Sequence, residues 1–243
     1  ILIFSNKQFN YKMIDLTYSG DGSINSEDNI KNLLLRIFII YSFLSFIIFL
    51  FLNISNVRLF NSLNLSMSLI STGGFLPTDS LNTIIKTTPQ KIIFAFSLLV
   101  SMLNFFLILN IFEKKIIIRE HKEDFYLIIL ALVFIMLVYL NNYSGLNIII
   151  GVLSSLSNSG LSLLNSDNNL SLYFILITAI GGSLISNTSG IKFTRIYILL
   201  KTASSEIMKL ISPNSIINKS IFNSEKKITD ENVKISFLIF ISF

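Results

Sequence analysis

Three short stretches combine glycine with small hydroxyl and amide residues. STGGFLPTDS (71–80) carries Ser71, Thr72, Gly73 and Gly74, and SNSGLS (157–162) carries Ser157, Asn158, Ser159 and Gly160. The third, AIGGSLISNTSGIKFTR (179–195), carries Ser186, Asn187, Thr188, Ser189 and Gly190, with Lys192 and Arg195 just behind. None of the three holds an acid–base pair. There is no cysteine and a single histidine, His121, in a charged connector, which rules out thiolate sites and leaves little room for imidazole chemistry. What the stretches offer is backbone. Glycine reaches angles that a Cβ forbids, and carbonyls freed where a helix ends can replace a cation's hydration shell. The C-terminal, partially negative end of a helix favours a cation at the same point.

The elements that must hold these turns are apolar. Of 243 residues, 52% are hydrophobic and only 14% charged, with 22 phenylalanines and a mean hydropathy of +0.69. That is too little charge to cover a water-soluble domain of this size. Leu33 to Asn53 forms a first run, with Arg36 near enough to its end to snorkel. Roughly 20 apolar residues cross the roughly 30 Å hydrocarbon core, so this run predicts a transmembrane helix. A short Ser/Asn-dotted apolar segment (57–70) leads into STGGF, and KIIFAFSLLVSMLNFFLILNIF (91–112) predicts a second span. The order then repeats: a span over 125–141, a short segment over 144–157 running into NSGLS, and a further span opening at 171. Gly74 and Gly160 are 86 residues apart, which indicates a duplicated unit.

Topology follows from the basic residues. The connector 113–124 carries Lys114, Lys115, Arg119 and Lys122, whereas 141–170 carries no Lys or Arg. Lys/Arg excess marks the cytoplasmic side, so both glycine turns are expected to approach from outside. The net charge of +5 is spread over connectors without the interleaved aromatics of a nucleic-acid patch, and no nucleic-acid partner is expected. A serine protease built on NSGLS would need a base within hydrogen-bond reach, and His121 falls on the opposite side. The polar interruption at 186–190 reads either as the end of a helix near Ile185, followed by an interfacial helix, or as a helix broken inside the membrane. The chain starts at Ile1, and KISFLIFISF (234–243) opens an apolar block and stops within it; this reads as an internal fragment of a longer protein.

STGGFLPTDS resembles the second pore loop of the Trk/Ktr/HKT potassium transporters, and GGSLISNTSGIKFTRIYILLK (181–201) resembles their third-repeat M2 helix. The second match is longer and more specific: Gly-Gly, a small-residue loop ending in Gly-Ile-Lys, then Arg and a Leu-rich run. The resemblance implies an all-α integral membrane fold of tandem M1–pore helix–M2 repeats around a pseudo-fourfold pore, of which this chain holds repeats two and three. It implies that Ser71, Thr72, Gly73 and Gly74 form one quarter of a selectivity filter and Ser157, Asn158, Ser159 and Gly160 another. Ser186–Gly190, with Lys192, would form the intramembrane gating loop. The chain departs from the pattern in two places: SNSGLS stands where relatives are Thr-rich with Phe after glycine, and the loop has Ser and Asn where they are richer in glycine.

The expected organisation is a cytoplasmic linker (1–32), a repeat (33–112), a cytoplasmic connector (113–124), a second repeat with a broken M2 (125–203), and a linker opening the next transmembrane helix (204–243). The expected function is potassium uptake across the plasma membrane by a multi-pass protein, with K+ as the transported ion, no covalent cofactor and no enzymatic activity. The resemblance further implies a homodimer and a cytosolic nucleotide-binding regulatory subunit, in contact with membrane lipid. The competing reading is a non-conducting or degenerate membrane assembly.

Overall fold

The structure is a computed structural model and describes residues 27–105, 107, 111, 122–140, 145–163, 168–184, 186–212, 220–223 and 228–242. Most of the linker 1–32 and the connector residues 113–121, His121 included, lie outside the described residues. The described elements are helical, with one isolated bridge between Ile180 and Ile191.

Helix α1 (Glu27–Ile54) contains the run Leu35–Ile54, which among the described residues is the one helical segment long and apolar enough to cross a bilayer. Its outer face shows Phe38, Ile39, Phe46 and Phe51 exposed, while Ile40, Leu44, Ile48 and Leu52 at helical spacing are buried. An apolar face of that extent suits contact with lipid, not water. Helix α2 (Leu59–Ser71) has 13 residues, about 20 Å at helical rise, and stops short of a full crossing. A single 3-10 turn at Leu81–Thr83 leads to helix α3 (Thr88–Met102).

The start of α3 is tied down by one amide. Gln90 accepts the backbone N–H groups of Lys86 (2.8 Å) and Thr87 (3.0 Å) through Oε1, and donates from Nε2 to the Ser55 carbonyl (2.9 Å) just past α1. It reaches back to the N-cap as in a capping box, with Pro89 in the first turn where a missing N–H is harmless. Replacing buried Gln90 by leucine strands two donors and one acceptor. The expected result is a loss of about 2–4 kcal/mol, read as a lowered thermal midpoint of the purified protein in detergent.

The second unit repeats the plan. Helix α4 (Lys122–Leu140) is followed by α5 (Leu146–Leu156), α6 (Asn168–Thr178) and α7 (Phe193–Ile211), with α8 (Asp230–Ser242) packed on α7. Within the first unit α1, α2 and α3 pack on one another, and in the second α4 and α6 pack on α5. The seam between the units is α3 against α5. Along α3, Phe94, Leu98 and Met102 are fully buried at i, i+4, i+8, and buried Ser97 and Ser101 alongside them return their hydroxyls to the Phe94 and Leu98 carbonyls (2.7 and 2.8 Å). Those small residues let α5 approach closely. From Ile150 to Leu156 every residue of α5 is buried, as expected for a helix enclosed by protein on all sides.

Two helix boundaries differ from the sequence expectation. The span expected over 91–112 is interrupted, because α3 ends at Met102 and Leu103 turns extended (φ −81°, ψ 164°). The span expected from 171 starts earlier, at Asn168, and its helix stops at Thr178, seven residues before Ile185.

Candidate functional site

Both short helices end on a glycine stretch, and they end in the same way. At the end of α2, Thr72 is left-handed (φ 53°, ψ 31°). Its N–H donates to the Leu69 carbonyl (3.3 Å) and that of Gly73 to Ser68 (2.9 Å). At the end of α5, Asn158 is left-handed (φ 56°); its N–H donates to Ser155 and that of Ser159 to Ser154, both at 3.1 Å. Each is a Schellman closure. One residue further, Gly74 (φ 70°) and Gly160 (φ 68°) also turn positive. The offset is the same at each place, 158 − 72 = 160 − 74 = 86 residues, so the duplication seen in sequence is a duplication of backbone conformation.

The two turns adjoin. A Cβ on Gly74 would collide with the Ser159 carbonyl oxygen, whereas a Cβ on Gly160 meets nothing within 4 Å. Ser71, Thr72, Gly73 and Gly74 are therefore brought next to Ser157, Asn158, Ser159 and Gly160. The Ser159 hydroxyl lies 3.0 Å from that of Ser154 and 3.3 Å from that of Ser157, contacts that order the turn and supply no general base.

The third stretch is a loop whose neck is pinched shut. Gly181 N–H donates to the Ile191 carbonyl (2.8 Å), and Ile191 N–H to that of Ala179 (3.2 Å). The approach needs glycine, since a Cβ on Gly181 would run into the Ser189 carbonyl, and one on Gly182 would sit 2.5 Å from the Met102 carbonyl. Inside the loop, Gly182 N–H donates to Thr188 Oγ1 (2.8 Å) and Ser186 Oγ to the Ser183 carbonyl (2.7 Å). Lys192 turns back into it. Its Nζ lies 3.0 Å from the Ser186 carbonyl, 2.6 Å from that of Thr188, and 3.3 and 3.2 Å from their hydroxyls. Four oxygens around one ammonium make a cation cage already filled by the protein's own charge.

The loop reaches both turns. Asn187 Nδ2 donates to the Ile70 carbonyl (2.9 Å), and the Thr72 hydroxyl lies 3.2 Å from the Asn187 carbonyl. Asn158 Nδ2 donates to the Ser189 carbonyl (3.1 Å). The structure thus gathers all three sequence-flagged stretches in one place.

Sequence reasoning missed the groups behind the loop. Ser183 N–H donates to the Met102 carbonyl (2.9 Å), the one released where α3 breaks. Adjacent carboxylates at the start of α4 serve both broken segments: Asp124 Oδ1 accepts Asn104 N–H (2.9 Å), and Glu123 Oε1 accepts Leu184 N–H (3.0 Å). The signal was available in Asn104, an amide within an otherwise apolar run, and in two acids placed at the mouth of a span. Among the described residues, no group of three His, Cys, Asp or Glu could hold a metal ion.

No protein-family model matches the chain, and no curated protein matches it. Among solved structures, it is similar to the crystal structure of the potassium transporter TrkH from Vibrio parahaemolyticus, with a TM-score of 0.79 and 17% sequence identity. The similarity covers 95% of this chain and 52% of that one, so the chain spans about half the length of the transporter it matches. At this identity the likeness establishes the fold alone, the all-α architecture of that integral membrane protein.

Proposed function

We infer that the chain supplies two quarters of a monovalent-cation pathway, with potassium as the transported ion, in a multi-pass protein of the plasma membrane. The observation that carries this reading is the pair of conformationally equivalent turns. Each closes a helix too short to span, and the two touch each other at Gly74 and Ser159. Non-helical backbone at membrane depth persists where protein buries it or where it lines a water-filled cavity. Two helix C-termini aimed at one point create a site for positive charge.

Ser71–Gly74 and Ser157–Gly160 act as filter segments, and Ser186–Gly190, held by Lys192, acts as a loop that obstructs the path beneath them. The similarity to a potassium transporter supports the choice of ion. A complete pore calls for two further segments of the same kind, and the homodimer and the cytosolic nucleotide-binding subunit belong to the same proposal.

The test is rubidium uptake by the full reading frame in cells lacking their own potassium transporters. Saturable uptake above that of the empty cells is the expected result. Absence of uptake by protein that reaches the membrane favours the non-conducting assembly.

A further inference from the structure

We propose that the Asn187 side-chain amide and the transported cation compete for the Ile70 carbonyl, so that an ion in the lower filter releases the loop. This rests on the filter reading above and deepens it by naming what moves the loop.

The geometry leaves Ile70 as the next carbonyl in line. In the closure of α2, the Ser68 and Leu69 carbonyls are taken by the backbone amides of Gly73 and Thr72. The following one, Ile70, receives Asn187 Nδ2 at 2.9 Å, from a residue 117 positions away. It lies in the last turn of a helix whose C-terminal end favours positive charge, two residues before the left-handed Thr72. A carbonyl so placed can accept an N–H or coordinate a cation, and because Ile70 is fully buried with the Asn187 amide on it, a cation gains that oxygen only by displacing the amide.

The remaining contacts make that exchange consequential. The equivalent left-handed residues of the two turns, Thr72 and Asn158, reach loop carbonyls two residues apart, those of Asn187 and Ser189. The loop therefore hangs from the two turns through the side-chain amides of Asn158 and Asn187, the Thr72 hydroxyl having its nearer acceptor in the Ser71 carbonyl at 2.7 Å. Asn187 and Ser189 are themselves exposed, and no apolar packing of their side chains would replace these hydrogen bonds. A ligand that binds only when the Asn187 contact is open must shift the loop toward release by as much as it gains there.

Hydrogen exchange of the purified full-length protein in detergent tests this without relying on transport. The reporters are the loop amides of Gly181, Gly182, Ser183, Leu184 and Ile191, all hydrogen-bonded in this structure. Potassium chloride should accelerate their exchange relative to choline chloride at equal ionic strength. Asn187→Ala in choline should exchange roughly fivefold faster than the unaltered protein, the factor of one ordinary hydrogen bond, and should gain nothing more from potassium. Asn187→Leu, similar in size but with neither an N–H donor nor a charge, should behave like the alanine variant.

Equal exchange of the unaltered loop in the two salts overturns the proposal, and so does a potassium response that survives in either variant. If the variants fail to fold, the salt comparison on the unaltered protein decides alone. A loop that ignores potassium in a protein that takes up rubidium sinks the competition and spares the transport reading. A loop that responds in a protein without uptake does the reverse.

Discussion

Gly74→Ala in the full reading frame is expected to lower rubidium uptake about a hundredfold while the protein still reaches the membrane. Two costs coincide at that position. The backbone is left-handed (φ 70°), which costs an alanine about 1–2 kcal/mol. The new Cβ would also point into the Ser159 carbonyl oxygen. That oxygen is backbone at the end of a helix buried along its last two turns, so it cannot yield without moving α5. Overpacking of this kind adds about 1–3 kcal/mol, bringing the total to about 3 kcal/mol or more and the loss of rate to roughly a hundredfold.

Gly160→Ala is the internal control. The φ is nearly the same, 68°, but its Cβ has nothing within 4 Å. Only the conformational cost remains, about tenfold in rate. Equal losses at the two glycines would show that their backbone angle alone matters and that the contact between the turns carries no function. Unchanged uptake in Gly74→Ala would remove the turn from the ion path.

The contrast between these glycines marks what a sequence can convey. Length, apolar runs and the 86-residue spacing are one-dimensional, and they located both turns and the order of helices around them. The left-handed residues Thr72 and Asn158 were legible only as members of polar stretches, because non-glycine residues adopt that conformation when the surrounding closure enforces it. Helix ends proved harder still. Nothing local stops a helix between Met102 and Leu103; the break is set by partners far along the chain, Ser183 on the released carbonyl and Asp124 on the Asn104 amide. The early end of α6 at Thr178 has the same origin, since Ile180 and Gly181 pair with Ile191 instead of continuing the helix. Tertiary hydrogen bonds override propensity wherever they satisfy the freed backbone groups, and in an apolar setting an unsatisfied group is what the fold cannot tolerate. The carboxylates Glu123 and Asp124 fell in what read as a solvated connector, because their role depends on two segments that only the fold brings to them.

Lys192→Met should raise uptake, and for two separable reasons. The ammonium ties the Ser186 and Thr188 carbonyls and their hydroxyls to one point, and without it the loop loses its internal fastening. It also places a positive charge inside the loop that touches both turns, with the Glu123 carboxylate near enough to offset part of it. Two unit charges about 8 Å apart repel by about 2 kcal/mol at an effective permittivity of about 20, so its removal lowers the barrier to a permeating cation by a similar amount, roughly thirtyfold in rate at most. Lys192→Arg separates the contributions. It keeps the charge, but a planar guanidinium cannot replace a compact ammonium inside four oxygens, so the loop loosens while the repulsion stays. Uptake in the order Met, then Arg, then the unaltered protein indicates that both act. Arg equal to the unaltered protein assigns the effect to charge, and Arg equal to Met assigns it to the fastening. Uptake lowered by Lys192→Met, at unchanged membrane abundance, would mean that the loop is a scaffold the pathway needs in place and not an obstruction to it. On the proposed reading, the ammonium that fastens the loop through four oxygens also carries the charge, so a single residue would hold the path closed mechanically and electrostatically at once.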